Sequence, residues 1–174
     1  MPADELVAGR VRLCRWRPGD ADELYLAVAA SLAHLAPWME WAAHGYSDLD
    51  AREHIARAER DWVDGVAHHY AIRLPDGALA GSCSLMGRGA ADGPEIGYWL
   101  HPDHTGCGYA TAAAAALVAE AFRTGADRVR IVHAEANLRS EAVPRRLGFT
   151  RLPRRPPAER ATAGVAVVWR LTAP

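Results

Sequence analysis

Residues 94–121 combine a short apolar strand, a glycine-bearing loop and a long alanine-rich helix, with Gly106 and Gly108 at the mouth of that helix. The first N–H groups of a helix have no partner within it, and glycine tolerates positive φ, so several N–H groups can face one anion there. The pattern predicts a site for the pyrophosphate of a coenzyme. An ordinary strand–loop–helix corner fits the same residues and stays open at this point.

The residues around the loop narrow the class of coenzyme. All twenty basic residues of the chain are Arg, so the Lys of a Walker-type loop is absent. A dinucleotide-binding fold needs a third glycine, where this chain has Thr111, and an opening βαβ unit, whereas this loop comes late. What remains is a coenzyme with a diphosphate and an extended arm.

Length, composition and net charge limit the number of domains, the location and the partners that we expect for this chain. A chain of 174 residues that is 50% hydrophobic suits one domain, 1–174. It has no run of 18 apolar residues and no signal-like start, so we expect a soluble, cytoplasmic protein with no membrane partner. A net charge of −1 indicates no nucleic-acid partner.

Neither the cysteines nor the histidines predict a metal. The three cysteines are far apart and odd in number, which argues against a disulfide framework or a Cys-based metal site. The pairs His101/His104 and His68/His69 have no acidic or Cys/His partners at ligand spacing. We therefore expect no metal.

Hydrophobic periodicity predicts a single domain of mixed α and β structure. Strands are expected at 11–14 after a polar leader, and at 69–74, 79–86, 95–100, 128–134, 149–152 and 165–171. Helices are expected from a cap at Asp20 or Asp22, from a cap at Asp48 or Asp50 to Trp62, from Tyr109 to before Gly125, and at 137–147. The aromatic stretch 34–46, with Trp38 and Trp41, is expected to form a loop that serves as a lid over a substrate or as a plug over the core.

Three segments together resemble a known family. EIGYWLHPDHTGCGYAT from Glu95, NLRSEAVPRRLGF from Asn137 and HLAPWMEW from His34 are similar to the acyl-CoA-dependent N-acetyltransferases of the GNAT superfamily. They most resemble the branch of ribosomal-protein N-terminal (alanine/serine) acetyltransferases. The resemblance covers most of the chain, in the right order.

The resemblance implies a GNAT fold: a central mixed, mostly antiparallel sheet, splayed in the middle, with flanking helices. Acyl-CoA would lie between strands 95–100 and 128–136, with a freed N–H at 97–99 stabilising the oxyanion. Gly97 is typical of a bulge in the first of these strands. The implied coenzyme contacts are Tyr98, Trp99, Leu100, His104, Thr105, Gly106, Cys107, Gly108, Tyr109, Ala110, Thr111, Asn137, Ser140 and Arg145.

The resemblance also implies catalytic roles. Ser140 would be the acid that protonates the CoA thiolate, and Asn137 would orient it, although both residues also suit helix capping. Pro144 fits this helix if the helix starts near Ser140, because its missing N–H would then be among the first four. Glu95 is the first candidate for the base, with Glu135, Glu159 or water as alternatives. Trp38 and Trp41 are the candidate acceptor contacts.

The implied reaction moves an acetyl group from acetyl-CoA to a primary amine by direct attack in a ternary complex. The acceptor, a peptide N-terminus or a small molecule, stays open, as do the acyl length and a homodimer. Thr105 and Cys107 stand where the family usually has Gln or Arg and a basic residue. This departure keeps open a non-catalytic acyl-CoA-binding sensor or interaction module.

Overall fold

The fold is a mixed β-sheet with helices on both faces. The computed structural model describes residues 1–87, 91–153, 160–161 and 164–174. Its strands are β1 (Glu5–Ala8), β2 (Val11–Arg15), β3 (Ala67–Arg73), β4 (Leu79–Met86), β5 (Glu95–Leu100), β6 (Arg128–Ala134), β7 (Thr150–Arg151), β8 (Arg160–Ala161) and β9 (Gly164–Thr172). Its helices are α1 (Ala21–Leu35), α2 (Asp48–Asp64), α3 (Tyr109–Arg123) and α4 (Leu138–Arg146).

The sheet has the order β1-β2-β3-β4-β5-β6-β9-β7, and β8 pairs with β9. All neighbours are antiparallel except β5 and β6, which are parallel. The β3–β4 hairpin closes through the predicted turn, where Gly77 has φ 92° and its N–H donates to the carbonyl of Leu74 at 2.9 Å. The expected mixed, mostly antiparallel sheet is confirmed.

The helices cover opposite faces because each carries one apolar stripe. Leu24 and Val28 of α1 and Ile55 of α2 pack with Ala71 and Trp99 on one face. The other face buries α3 through small residues and one leucine, and it also buries part of α4; the residues concerned are Ala113, Ala114, Leu117, Ala121 and Val143. Among the described residues, no helix is both long and apolar enough to cross a membrane.

Several local expectations need correction. The polar leader contains β1, which pairs with β2, and the side chain that caps α2 is Ser47, with Asp50 three residues into the capping box. Asp20 precedes α1 without a side-chain cap bond; its carboxylate accepts from the Arg17 N–H and from Arg73 instead.

Gly97 and Pro144 also differ from expectation. Gly97 marks no bulge: β5 pairs with β4 from Glu95 to Leu100 in unbroken register, and the irregularity lies between Ile72 and Arg73. Pro144 is the seventh residue of α4 rather than part of its first turn, so its missing N–H does leave a helical carbonyl without its usual donor.

Candidate functional site

The loop before α3 presents backbone N–H groups to solvent. Gly106 and Gly108 have φ of 78° and 79°, which is left-handed backbone that glycine adopts without strain. The first helical hydrogen bond runs from the Ala112 N–H to the Gly108 carbonyl at 3.0 Å, so the N–H groups of Tyr109, Ala110 and Thr111 precede it. A Cβ added at either glycine meets nothing within 4 Å, so the loop is open toward a ligand.

Side chains add little charge to this loop. The Thr105 hydroxyl donates to the carbonyl of Pro102 at 2.8 Å, and the exposed Cys107 thiol lies 3.7 Å from the carbonyl of Thr105. His104 stands beside His101, with ring centroids 5.6 Å apart. An anion here would be held by the backbone, as the glycines predict, rather than by the basic side chain that the family usually supplies.

The sheet opens between β5 and β6. Over the described lengths of both strands, pairing is confined to the register position Glu95–Arg130, where the Arg130 N–H donates to the Pro94 carbonyl at 3.0 Å. Beyond this junction β6 stays paired with β9, and β5 stays paired with β4. The splayed sheet that the resemblance implied is therefore present.

Backbone alternation shows which groups face the opening. The His101 N–H donates to Ala80 of β4, whereas the Pro94 carbonyl accepts from β6, so even-numbered residues of β5 point their N–H and C=O groups toward β6. Tyr98 is the middle one of these even-numbered residues, which are Ile96, Tyr98 and Leu100, and it lies beyond the junction. Its N–H and C=O face the gap, at the position expected for the oxyanion donor.

A cavity of about 540 Å³ occupies the gap and continues over the α1/α2 face of the sheet. Gly97, Tyr98 and Trp99 line it from β5, and Val132, His133 and Ala134 line it from β6. Asn137 and Ser140 line it from the start of α4. The predicted catalytic pair and the strand gap thus share one space.

Ser140 is held by neighbours on both sides. The Asn137 side-chain oxygen accepts from the Ser140 N–H at 3.1 Å, as the capping alternative predicted. The Tyr98 hydroxyl lies 3.0 Å from Ser140 Oγ and donates to the Ser140 carbonyl at 3.1 Å. Burial raises the pKa of Tyr98 to about 12, so this phenol stays protonated at neutral pH.

The candidate bases occupy different places. Glu95 lines the cavity, and its Oε2 lies 3.1 Å from Arg130 Nη2 across the β5–β6 junction. Glu135 lies 3.2 Å from Arg151 instead. Glu159 lies outside the described residues.

His133 is unsuited to proton transfer although it lines the cavity. The Trp169 indole N–H donates to its Nε2 at 2.9 Å, and its Nδ1 lies 2.8 Å from the Ala134 carbonyl. These partners fit the neutral tautomer with the proton on Nδ1, and they occupy both ring nitrogens.

The other predicted contacts are dispersed. Trp38 and Trp41 line the cavity, and Trp41 packs against Trp99 with ring centroids 6.3 Å apart. Leu100 packs against the core beside Tyr98. Arg145 is exposed near the end of α4, with Nη1 3.4 Å from Glu141. In the described parts of the chain, no group of three His, Cys, Asp or Glu residues suits a metal ion.

A polar stripe on α2 was missed from the sequence. Asp50, Glu53, His54 and Arg57 all line the cavity at helical spacing, beside His69 of β3. Burial lowers the pKa of His54 to about 4, and His69 approaches Asp61 at 3.3 Å. The three- to four-residue spacing of these polar residues was the available signal, and it marks the face of α2 that borders the cavity.

Comparison with known proteins identifies the family. The acetyltransferase (GNAT) domain matches residues 10–150 of this chain. The chain belongs to the GNAT acetyltransferases. It is 34% identical over 137 residues, 76% of its length, to YdaF of Bacillus subtilis (strain 168), a protein named for ribosomal N-acetyltransferase activity, of which the match covers 73%.

Solved structures share the fold of this acetyltransferase. RimL, a ribosomal L7/L12 alpha-N-protein acetyltransferase solved with coenzyme A, superposes with a TM-score of 0.87 at 22% identity, covering 97% of both chains. Mycobacterium smegmatis RimJ, solved with a CoA-disulfide, superposes with a TM-score of 0.83 at 25% identity, covering 97% of this chain and 86% of RimJ. The GNAT fold is therefore confirmed, and the chain is an acetyltransferase enzyme.

Proposed function

We propose that this acetyltransferase moves an acetyl group from acetyl-CoA to a primary amine by direct attack in a ternary complex. The observation that carries the proposal is the gap beyond Glu95–Arg130, into which Tyr98 points its N–H and C=O. The peptide-like arm of acetyl-CoA can pair with the Tyr98 C=O as an added strand, which leaves the Tyr98 N–H for the thioester. The N–H groups at the start of α3 would hold its pyrophosphate.

The Tyr98 N–H is suited to stabilise negative charge on the thioester oxygen. It is fixed in the sheet and faces the cavity, so it needs no reorganisation as the oxyanion develops. Donors placed in this way are commonly worth about 3 kcal/mol of barrier.

Ser140 is suited to protonate the sulfur that leaves. When the amine nitrogen bonds to the acetyl carbon, the C–S bond breaks and the thiolate takes the Ser140 hydroxyl proton. The proton lost by the amine then restores Ser140 through solvent, so the net products are an amide and a thiol. Asn137 supports this role by fixing the Ser140 backbone.

Glu95 remains our candidate for the group that accepts the amine proton, directly or through water. Its carboxylate already pairs with Arg130 at 3.1 Å, so a proton from the amine would be taken up at the expense of that ion pair. Correct placement of a neutral amine supplies much of the rate by itself, so Glu95→Gln is expected to lower turnover less than a change at Ser140.

The acceptor would enter from the α1/α2 face, past Trp38 and Trp41. The names of YdaF and RimL favour a ribosomal-protein N-terminus, with a small amine as the second choice. We further propose that residues 1–174 act as one domain in the bacterial cytoplasm, with a homodimer still to be tested.

A thiol-release assay tests the proposal. Acetyl-CoA is offered with a panel of peptides carrying Ala or Ser N-termini and of small amines, and release of CoA thiol is followed. Turnover with one class of acceptor is expected and identifies that class. Acetyl-CoA binding without turnover of any acceptor would favour the alternative, a non-catalytic acyl-CoA-binding module.

A further inference from the structure

Pro144 deprives Ser140 of a helical hydrogen bond. In an α-helix the carbonyl of each residue accepts from the N–H four residues later. Both Ser140 and Pro144 lie inside α4, so the donor due to the Ser140 carbonyl would come from residue 144. Proline has no N–H, and its ring crowds the carbonyl four residues earlier. This carbonyl therefore needs a donor from elsewhere.

The Tyr98 hydroxyl stands at that position. It lies 3.1 Å from the Ser140 carbonyl oxygen and 3.0 Å from Ser140 Oγ, both ordinary hydrogen-bond distances. A phenol has one proton, so while it donates to the carbonyl its oxygen can accept from the Ser140 hydroxyl before the reaction, and that hydroxyl turns to the sulfur when its proton is transferred. One residue of β5 thus meets both oxygens of the proposed acid.

Tyr98 can hold this position because it is itself fixed. Its backbone belongs to the β5 strand at the gap, and its side chain is partly buried against the hydrophobic core. The hydroxyl is therefore carried on a rigid support.

We propose that Tyr98 is a positioning residue whose hydroxyl replaces the donor that Pro144 removes and thereby holds the Ser140 hydroxyl at the cavity wall. The effect on turnover rests on the proposed function, in which Ser140 is the acid. The structural coupling of Tyr98 to Pro144 does not.

A double-mutant cycle of stability tests the coupling. Tyr98→Phe keeps the ring in the core, and Pro144→Ala restores an N–H and raises helix propensity, so both variants are expected to fold. In the otherwise wild-type chain Tyr98→Phe should lower Tm by about 2–4 °C, the shift of one lost hydrogen bond in a chain of this size. In the chain that already carries Pro144→Ala the loss should be less than half as large.

Turnover tests the positioning. Tyr98→Phe should lower kcat about fivefold to tenfold, the range of one hydrogen bond, while the KM for acetyl-CoA changes less than about twofold. Tyr25→Phe and Pro75→Ala are the matched controls, since Tyr25 lies on the other face of the sheet and Pro75 lies in the β3–β4 turn. Both controls should leave kcat unchanged.

Two results would overturn the inference. Equal losses of Tm from Tyr98→Phe in the two backgrounds would show that Tyr98 does not compensate for Pro144. An unchanged kcat in Tyr98→Phe would show that it does not position Ser140. The stability cycle needs no acceptor, so it still decides the coupling if no amine is turned over, a failure that would count against the proposed function instead.

Discussion

Replacing Ser140 by Ala tests the proposed chemistry at a single oxygen. Ser140 lines the cavity and its Oγ lies 3.0 Å from the Tyr98 hydroxyl; the substitution removes this oxygen without removing the Asn137 bond to the Ser140 N–H. General acids typically contribute about 10²–10⁴-fold to a rate. A thiol of pKa about 8.5 is a good leaving group, so we expect a loss of kcat at or below the lower limit of that range, between about tenfold and a hundredfold.

The pH profile makes the prediction specific to an acid. Above the thiol pKa of about 8.5 a thiolate no longer needs a proton, so the ratio of wild-type to Ser140→Ala turnover should shrink as pH rises. The KM for acetyl-CoA should change little. The assay is thiol release at saturating acceptor across this pH range.

Ser47→Ala is the matched control for losing a serine hydroxyl. Ser47 caps α2 by accepting the Asp50 N–H at 3.2 Å, far from the proposed acid along the chain. Its loss should cost about 1 kcal/mol of stability and leave kcat unchanged below the melting transition. Wild-type turnover of Ser140→Ala at neutral pH would remove Ser140 from the mechanism and refute the reasoning.

Three further predictions concern the loop, the acceptor side and the pH dependence of stability. Cys107→Asp should weaken acetyl-CoA binding about tenfold relative to the isosteric Cys107→Asn, because unit charges 4 Å apart in water interact by about 1 kcal/mol and a pyrophosphate carries more than one charge. Calorimetry should show that this difference in affinity shrinks at high salt. Equal affinities of the two variants would place the pyrophosphate elsewhere. Trp41→Ala should raise the KM for the acceptor severalfold without changing that for acetyl-CoA, whereas the opposite pattern would assign Trp41 to the coenzyme. Burial lowers the pKa of His54 from 6.5 to about 4, so the unfolded chain binds this proton at higher pH than the folded chain does. The free energy of unfolding should therefore drop as pH falls from about 6.5 to 4, and denaturant titrations of His54→Gln should show a smaller drop. An unchanged drop in His54→Gln would count against His54 as its source.

Most helices and strands could be predicted because their local sequence signals are strong. The alanine run after Gly108 strongly favours a helix, and the apolar alternation in β6 favours a strand. Both α3 and β6 appear where expected. β1 was missed because the exposed Val7 lies between half-buried Leu6 and buried Ala8, so the sequence shows an apolar run instead of an alternation.

For the functional residues, hydrophobic periodicity and the family resemblance did not predict the same features. The resemblance led to Ser140 and to the strand gap, neither of which periodicity predicts. Gly97 was assigned a bulge, whereas it lies in unbroken pairing, and an added Cβ there would meet the flexible end of Met86 at 3.0 Å. The bond between Tyr98 and Ser140 joins residues 42 positions apart, and only the folded chain reveals it.

The most direct test of the account is a crystal structure with acetyl-CoA. We predict the arm of acetyl-CoA between β5 and β6, with an amide N–H of the arm at about 2.7–3.2 Å from the Tyr98 C=O, the thioester oxygen at the Tyr98 N–H, and the pyrophosphate on the N–H groups at the start of α3. Acetyl-CoA bound elsewhere, or Tyr98 paired with β6 across a closed sheet, would contradict the account.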